Sequence, residues 1–184
     1  VSGKTLTLEK DFAVPGSKQM DVSGAAGILK TASSISLAGT LAVSAANPSL
    51  EGGTVALSGG KLQVDNDMTV KSDLASQADS SISVAAGKKV TYTGSTFSIG
   101  GHSLTLSGSG SFENTGSLAL DNSSSILSLS GISKVKNVSV TGELTTGKLE
   151  AAQDSQIDTL ALSGSSRIDI ANEKTLTLAS AVEI

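Results

Sequence analysis

An apolar residue, a small or polar residue and a second apolar residue recur as a triplet along almost the entire 184-residue chain. Leu6-Thr7-Leu8, Ile35-Ser36-Leu37, Val55-Ala56-Leu57, Leu104-Thr105-Leu106, Leu127-Ser128-Leu129 and Leu176-Thr177-Leu178 are typical copies. Alternation puts the outer two side chains on one face of an extended chain and the middle one on the other. Each triplet is therefore a short strand with one buried face. Neighbouring triplets start six to eight residues apart, as at residues 55, 62 and 68 and at 82, 90, 97 and 104. That spacing holds a strand and a tight corner, and nothing longer.

Folded back as hairpins, strands this short would form an unstable meander. Winding the chain into a coil removes the difficulty. Three strands and three corners make a lap of roughly 21 residues, and each strand then hydrogen-bonds to its counterpart one lap on, about 4.8 Å away. The sequence thus predicts an all-β, single-stranded parallel β-helix (a β-solenoid) with three short strands per coil; a right-handed coil is the expectation, although strand spacing itself leaves the hand open. Residues 1–184 form one such domain, of roughly nine laps and on the order of 40 Å long.

Corner chemistry agrees with this reading. Gly59-Gly60, Ser107-Gly108-Ser109-Gly110, Asn114-Thr115-Gly116 and Ser163-Gly164-Ser165 fall between triplets, where a tight bend calls for Gly or Asn. Pro48 has no N–H for a ladder, so Ala45 to Ser49, followed by Glu51-Gly52-Gly53, predicts a protruding loop. A second loop is predicted over Lys71 to Ser80, where the triplets lapse.

Composition narrows the function. The aromatic residues are only Phe12, Tyr92, Phe97 and Phe112, so the interior must be filled by Leu, Val, Ile and Ala, which suits a thin, repetitive core. Ser and Thr make up roughly a quarter of the chain, and such residues, like the 20 Gly, are costly inside helices. With 38% apolar residues and a net charge of −4, the chain is not of the disordered class. Absence of Cys removes disulfides, thiolate nucleophiles and zinc–thiolate sites. The acidic balance disfavours nucleic acid as a partner, and no apolar run is long enough for a membrane-spanning helix, so no membrane insertion is expected. Val1 in place of Met is the start expected of a processed product or an excerpt of a longer solenoid.

These triplets, with their Gly/Ser/Asn corners, scarce rings and missing Cys, resemble the repeats of bacterial surface β-solenoids: autotransporter passengers and filamentous-haemagglutinin-like adhesins. The likeness covers nearly the whole chain. It implies a secreted or cell-surface stalk or fibre, often adhesive. The strict hexapeptide of left-handed β-helices and the Gly-Gly-x-Gly-x-Asp nonapeptide of calcium-binding β-rolls are both missing, and the resemblance assigns no functional residue.

Candidate chemistry is sparse. Asp65-Asn66-Asp67 is the densest group of oxygen ligands and the one candidate calcium loop, although adjacent residues converge on an ion only with help from a second segment. Otherwise no cofactor, metal or catalytic residue is expected. His102 has no second histidine and reads as a corner residue. A polysaccharide-active enzyme would need carboxylates gathered at a groove, whereas Asp121, Glu143, Glu150, Asp154, Asp158 and Asp169 are dispersed and Arg167 is the sole Arg. Thr5/Thr7 and Thr175/Thr177 raise an ice- or glycan-binding reading through a flat Ser/Thr-rich face, which would require such a pair on every lap. Asn122-Ser123-Ser124 and Asn137-Val138-Ser139 match the glycosylation sequon.

Lys4-Thr5-Leu6-Thr7-Leu8 recurs as Lys174-Thr175-Leu176-Thr177-Leu178, so the first and last coils begin alike and both read as complete strands. A parallel coil leaves a ring of unpaired backbone groups at each end. The expected function is therefore a structural module of an extracellular fibre, stalk or adhesin, not an enzyme, that self-associates head to tail and can meet a surface glycan or host surface. Leu104, Leu106, Leu118, Leu120, Leu176 and Leu178 are the expected inward residues.

Overall fold

The computed structural model describes residues 4–24, 27–95, 97–120, 122–140, 147–162, 167–180 and 182–183, and among them every regular element is a β-strand. The first lap holds β1 (Lys4–Leu8), β2 (Phe12–Val14) and β3 (Gln19–Val22), and the second β4 (Gly27–Thr31), β5 (Ser34–Leu37) and β6 (Thr40–Val43). The third has β7 (Ser49–Glu51), β8 (Thr54–Ser58) and β9 (Lys61–Val64), and the fourth β10 (Met68–Val70), β11 (Asp73–Ala78) and β12 (Ser80–Val84). The fifth comprises β13 (Lys89–Tyr92), β14 (Phe97–Ser98) and β15 (Ser103–Ser107). Then come β16 (Ser111–Ala119) with β17 (Ile126–Ser130), and β18 (Lys134–Val140) with β19 (Lys148–Ala151). Last are β20 (Ser155–Ile157), β21 (Leu160–Leu162) and β22 (Arg167–Ile170), followed by β23 (Leu176–Leu178) and β24 (Val182–Glu183).

Each strand pairs in parallel with its counterparts one lap before and after, so the fold is a three-faced β-solenoid. On the third face the register passes from Gln19 through Thr40, Lys61, Ser81, Thr105, Ser128 and Glu150 to Asp169. Eight strands make seven full laps there, averaging about 21 residues. Dividing chain length by the period gave nine. The excess arises because the terminal segments do not all return to this face. Seven steps of about 4.8 Å give a stack of roughly 34 Å.

Triplet alternation does the sorting. Leu41, Leu62, Ile82, Leu106 and Leu129 lie one above another on the third face and are all fully buried, while Thr105 and Ser128 between such residues point outward. The core is one continuous column of such residues. Tyr92, Phe97 and Phe112 meet inside it, with ring centroids 5.4 to 6.4 Å apart. Three of the four rings are thus concentrated in laps five and six, while Phe12 is only partly buried at the first lap.

Corners are tight enough to exclude side chains in places. Gly52, at φ +80°, turns the chain from β7 to β8, and a Cβ there would lie 2.2 Å from the Thr31 carbonyl oxygen. Only glycine tolerates both constraints.

Both predicted loops are absent. Pro48 is buried, and its carbonyl accepts from Thr69 N–H at 3.0 Å, so the residue ends a corner in step with its neighbours. Ile28 to Ser49 is an ordinary lap of 21 residues, which leaves nothing to protrude. Residues 73–78 form β11, whose register slips between Ser76 and Ala78; its Ser and Ala residues occupy strand positions that the triplet pattern misses. The expected corner Asn114-Thr115-Gly116 lies within β16, which runs across the first and second faces and merges their sheets. Ser163-Gly164-Ser165 lies outside the described residues. Of the expected inward residues, Leu104, Leu106, Leu118 and Leu120 are fully buried, whereas Leu176 is half-buried and Leu178 is 39% exposed, because no further lap covers β23.

Candidate functional site

The acidic triplet is occupied with corner chemistry. Asp65 accepts from Gln63 Nε2 at 3.3 and 3.4 Å, Asn66 Nδ2 donates to the Ser44 carbonyl at 2.7 Å, and Asp67 Oδ1 accepts from Lys89 N–H at 2.9 Å. These side chains serve three different partners, two of them one lap away in opposite directions. Among the described residues no group of three or more His, Cys, Asp or Glu side chains gathers in a metal-binding arrangement.

Asp67 belongs to a wider pattern that the sequence reading missed. Asp79 Oδ1 accepts from Ser103 N–H and Asp154 Oδ1 from Thr175 N–H, both at 2.8 Å, and Asp11 Oδ1 accepts from Ser34 N–H at 3.1 Å. In each case the Asp stands just before a strand and receives the N–H of the residue stacked on it one lap later. Asp73 does the same one position out of step, from Ser95 N–H at 2.8 Å. Asp11 also receives the hydroxyls of Ser33 and Ser34, and these bonds hold its carboxyl below the usual range. The sequence marks them only as an Asp immediately before a strand, on different faces at residues 11, 67, 79 and 154.

The acids considered for catalysis are likewise engaged. Asp158 meets Lys134 at 2.9 Å and Gln156 Nε2 at 3.1 Å, and the Lys134 ammonium leads in depressing its pKa. Asp169 meets Arg167 at 2.6 Å and Lys148 at 3.6 Å, with Arg167 the larger influence. Glu150 pairs with Lys148 at 2.9 Å, which raises the lysine's pKa. Asp121 and Glu143 lie outside the described residues. Other pairs link laps: Glu51 meets Lys71 and Glu113 meets Lys136 straight up the stack, and Glu113 also reaches Lys89 diagonally one lap back. Opposite charges in one column favour this register over a slipped one.

His102 sits half-buried in the corner before β15, where its backbone carbonyl accepts from Ile126 N–H at 2.9 Å. Asn122 makes a local turn, its Oδ1 accepting from Ser124 N–H at 2.9 Å. The side chain of Asn137 lies outside the described residues.

A regular Thr row does not form. In the third-face column from Gln19 to Asp169 only Thr40 and Thr105 are threonines, and on the first face Thr7 stacks on Lys30 and Thr177 on Gln156. The outward middle column of the second face is instead uniformly small: Ala13, Ser36, Ala56, Ala75, Ser98 and Ala119 follow one another in register.

Two further features stand out. Large apolar side chains are exposed at the terminal laps: Leu6 54%, Ile170 51% and Leu178 39%. An open groove of about 540 Å³ runs along the corner that leads into the third face, from Ser17–Gln19 in the first lap to Ser103 and Thr105 in the fifth.

The class that fold and surface define is a three-faced parallel β-solenoid. No protein-family model matches the chain, and neither a curated protein nor a solved structure matches it. No helix among the described residues is long and apolar enough to cross a membrane.

Proposed function

We propose that the chain is a structural module of an extracellular fibre, stalk or adhesin, secreted or held at the cell surface, in which further solenoid laps stack on its end faces. One observation carries this reading. Leu6 pairs with the buried Leu29, Ile170 with Ala151 and Leu178 with the buried Ile157, so by register all three belong to inward columns. They are exposed only where no neighbouring lap covers them. An added lap would bury these side chains and satisfy the free backbone edge together, and both terms favour association. The Lys-Thr-Leu-Thr-Leu sequence common to β1 and the β23 segment offers compatible strands at the two ends.

Negative-stain imaging and sedimentation of the intact mature protein test this. End-to-end rods that shorten to single units with Leu6→Asp or Leu178→Asp are the expected result. Dispersed single units of the unaltered protein at every concentration would refute stacking between copies.

A further inference from the structure

The groove along the third-face corner has a definite structural origin. One inward column of the register reads Gly39, Gly60 and Ser80 in laps two to four, and then Leu104, Leu127 and Leu149. Where the column is Leu, a buried side chain lies beneath the backbone. At Gly39 and Gly60 the backbone itself lies close against the preceding lap, and the corner there is a trough floored by backbone.

Neither glycine of that floor can take a side chain without moving the backbone. A Cβ on Gly39 would lie 2.2 Å from the carbonyl oxygens of Pro15 and Lys18, and one on Gly60 would lie 2.2 Å from that of Gly39. These carbonyls hold the ladder, since Thr40 N–H donates to Lys18 O and Lys61 N–H to Gly39 O. The trough runs over five laps, or about 19 Å of axis.

Its chemistry is polar and positive. Lys18 and Lys61 line it, about two laps apart, and neither has an ion-pair partner among the described residues, although Lys71, Lys89, Lys134, Lys136, Lys148 and Arg167 are all paired. The one acid in the lining, Asp79, accepts from Ser103 N–H at the far end of the groove and keeps its charge, so the lining carries two positive charges against one negative. Gln19, Thr40, Ser81 and Thr105 add a file of donors and acceptors along the same wall. That local excess of one positive charge, on a chain of net −4, favours an anionic occupant over a neutral one.

We infer that this groove binds an extended acidic polysaccharide, a chain of uronic acid units lying parallel to the solenoid axis. Straightness and length favour a linear polymer over a compact molecule. Alternating hydroxyls and carboxylates match the file of neutral polar side chains and the two ammonium groups. Single-stranded nucleic acid fits less well, because no aromatic side chain lines the groove to stack a base. The site is independent of the end faces, so it neither requires nor excludes fibre assembly.

The test is retardation of the intact protein in gels containing polygalacturonate, with neutral dextran and single-stranded DNA in parallel gels. Lys18→Ser combined with Lys61→Ser is expected to weaken polygalacturonate binding about ten-fold, equivalent to about 1.4 kcal/mol, with the melting temperature unchanged. Lys134→Ser combined with Lys136→Ser removes the same charge from the first face and is expected to leave binding intact. No retardation by polygalacturonate, equal loss in both double variants, or retardation as strong in dextran or DNA would each overturn the assignment.

Discussion

Phe112→Ala is the most informative single perturbation of this rod. Phe112 is fully buried and packs against Tyr92 and Phe97 at centroid distances of 6.4 and 5.9 Å. Truncating a buried Phe costs about 3–5 kcal/mol, and two ring partners place this site in the middle of that range or above. Unfolding 184 residues releases about 0.39 kcal/mol/K at ~2.1 cal/mol/K per residue, so a loss of ~4 kcal/mol lowers Tm by about 10 °C. Circular dichroism measures the shift. Tyr92 is the only tyrosine and the chain has no tryptophan, so tyrosine fluorescence reports on this cluster alone. In a stack where laps touch only their neighbours, damage stays local. Amide exchange is thus expected to accelerate in β13 to β18 while β5, β6, β8 and β9 keep their protection. Phe12→Ala, at a half-buried site in the first lap, is the comparison and should cost clearly less. Equal shifts for the two variants, or exchange that rises uniformly along the chain, would refute both the packing argument and the one-dimensional coupling.

Three other outcomes follow from the described contacts. Ser76 Oγ is buried without a hydrogen-bond partner, so Ser76→Ala is expected to raise stability by about 1 kcal/mol, read as a higher urea midpoint. Asp79→Ala leaves Ser103 N–H without its acceptor and should cost about 1 kcal/mol with faster exchange at Ser103, whereas Asp79→Asn keeps an oxygen in place and should cost little; equal effects would show that the hydrogen bond is not the cause. Glu51, Asp158 and Asp169 are held below the ordinary carboxylate range by Lys71, Lys134 and Arg167 respectively, so their contribution is present above their unfolded pKa values and is lost as pH falls through the lower folded values. Lys148, raised by Glu150, contributes below its unfolded pKa and loses that contribution as pH rises through its folded value. Melting temperature should therefore be flat from about pH 5 to about pH 10 as far as these groups decide it, and fall at more acid and more alkaline pH; a sharp maximum inside that window would contradict the assignment.

The triplets made the architecture legible because a period of two puts every alternate side chain on one face, and Leu-x-Leu keeps that period visible. Where strands carry small residues the signal fails: β11 buries Ser76 where other laps have Leu57 and Ile99, so the triplet pattern predicts a loop there. Pro48 misled for a related reason, since its missing N–H excludes a ladder donor but leaves its carbonyl free to accept. The corner aspartates were visible as acids but not as clamps, because their partners lie 21 to 24 residues away and become neighbours only once the lap length is known. The groove was still less accessible. It depends on a column that changes from Gly to Leu between laps, and such a column exists only in the folded register.

Because a strand bonds only to strands one lap away, this molecule has a natural unit of growth. Removing or duplicating a segment such as Ser49 to Pro48's counterpart one turn later restores every column, whereas a cut of half that size would turn core leucines toward water. Reach in such a protein is adjustable in increments of about 4.8 Å. Gene-level change in whole laps would lengthen the rod without redesigning its interior.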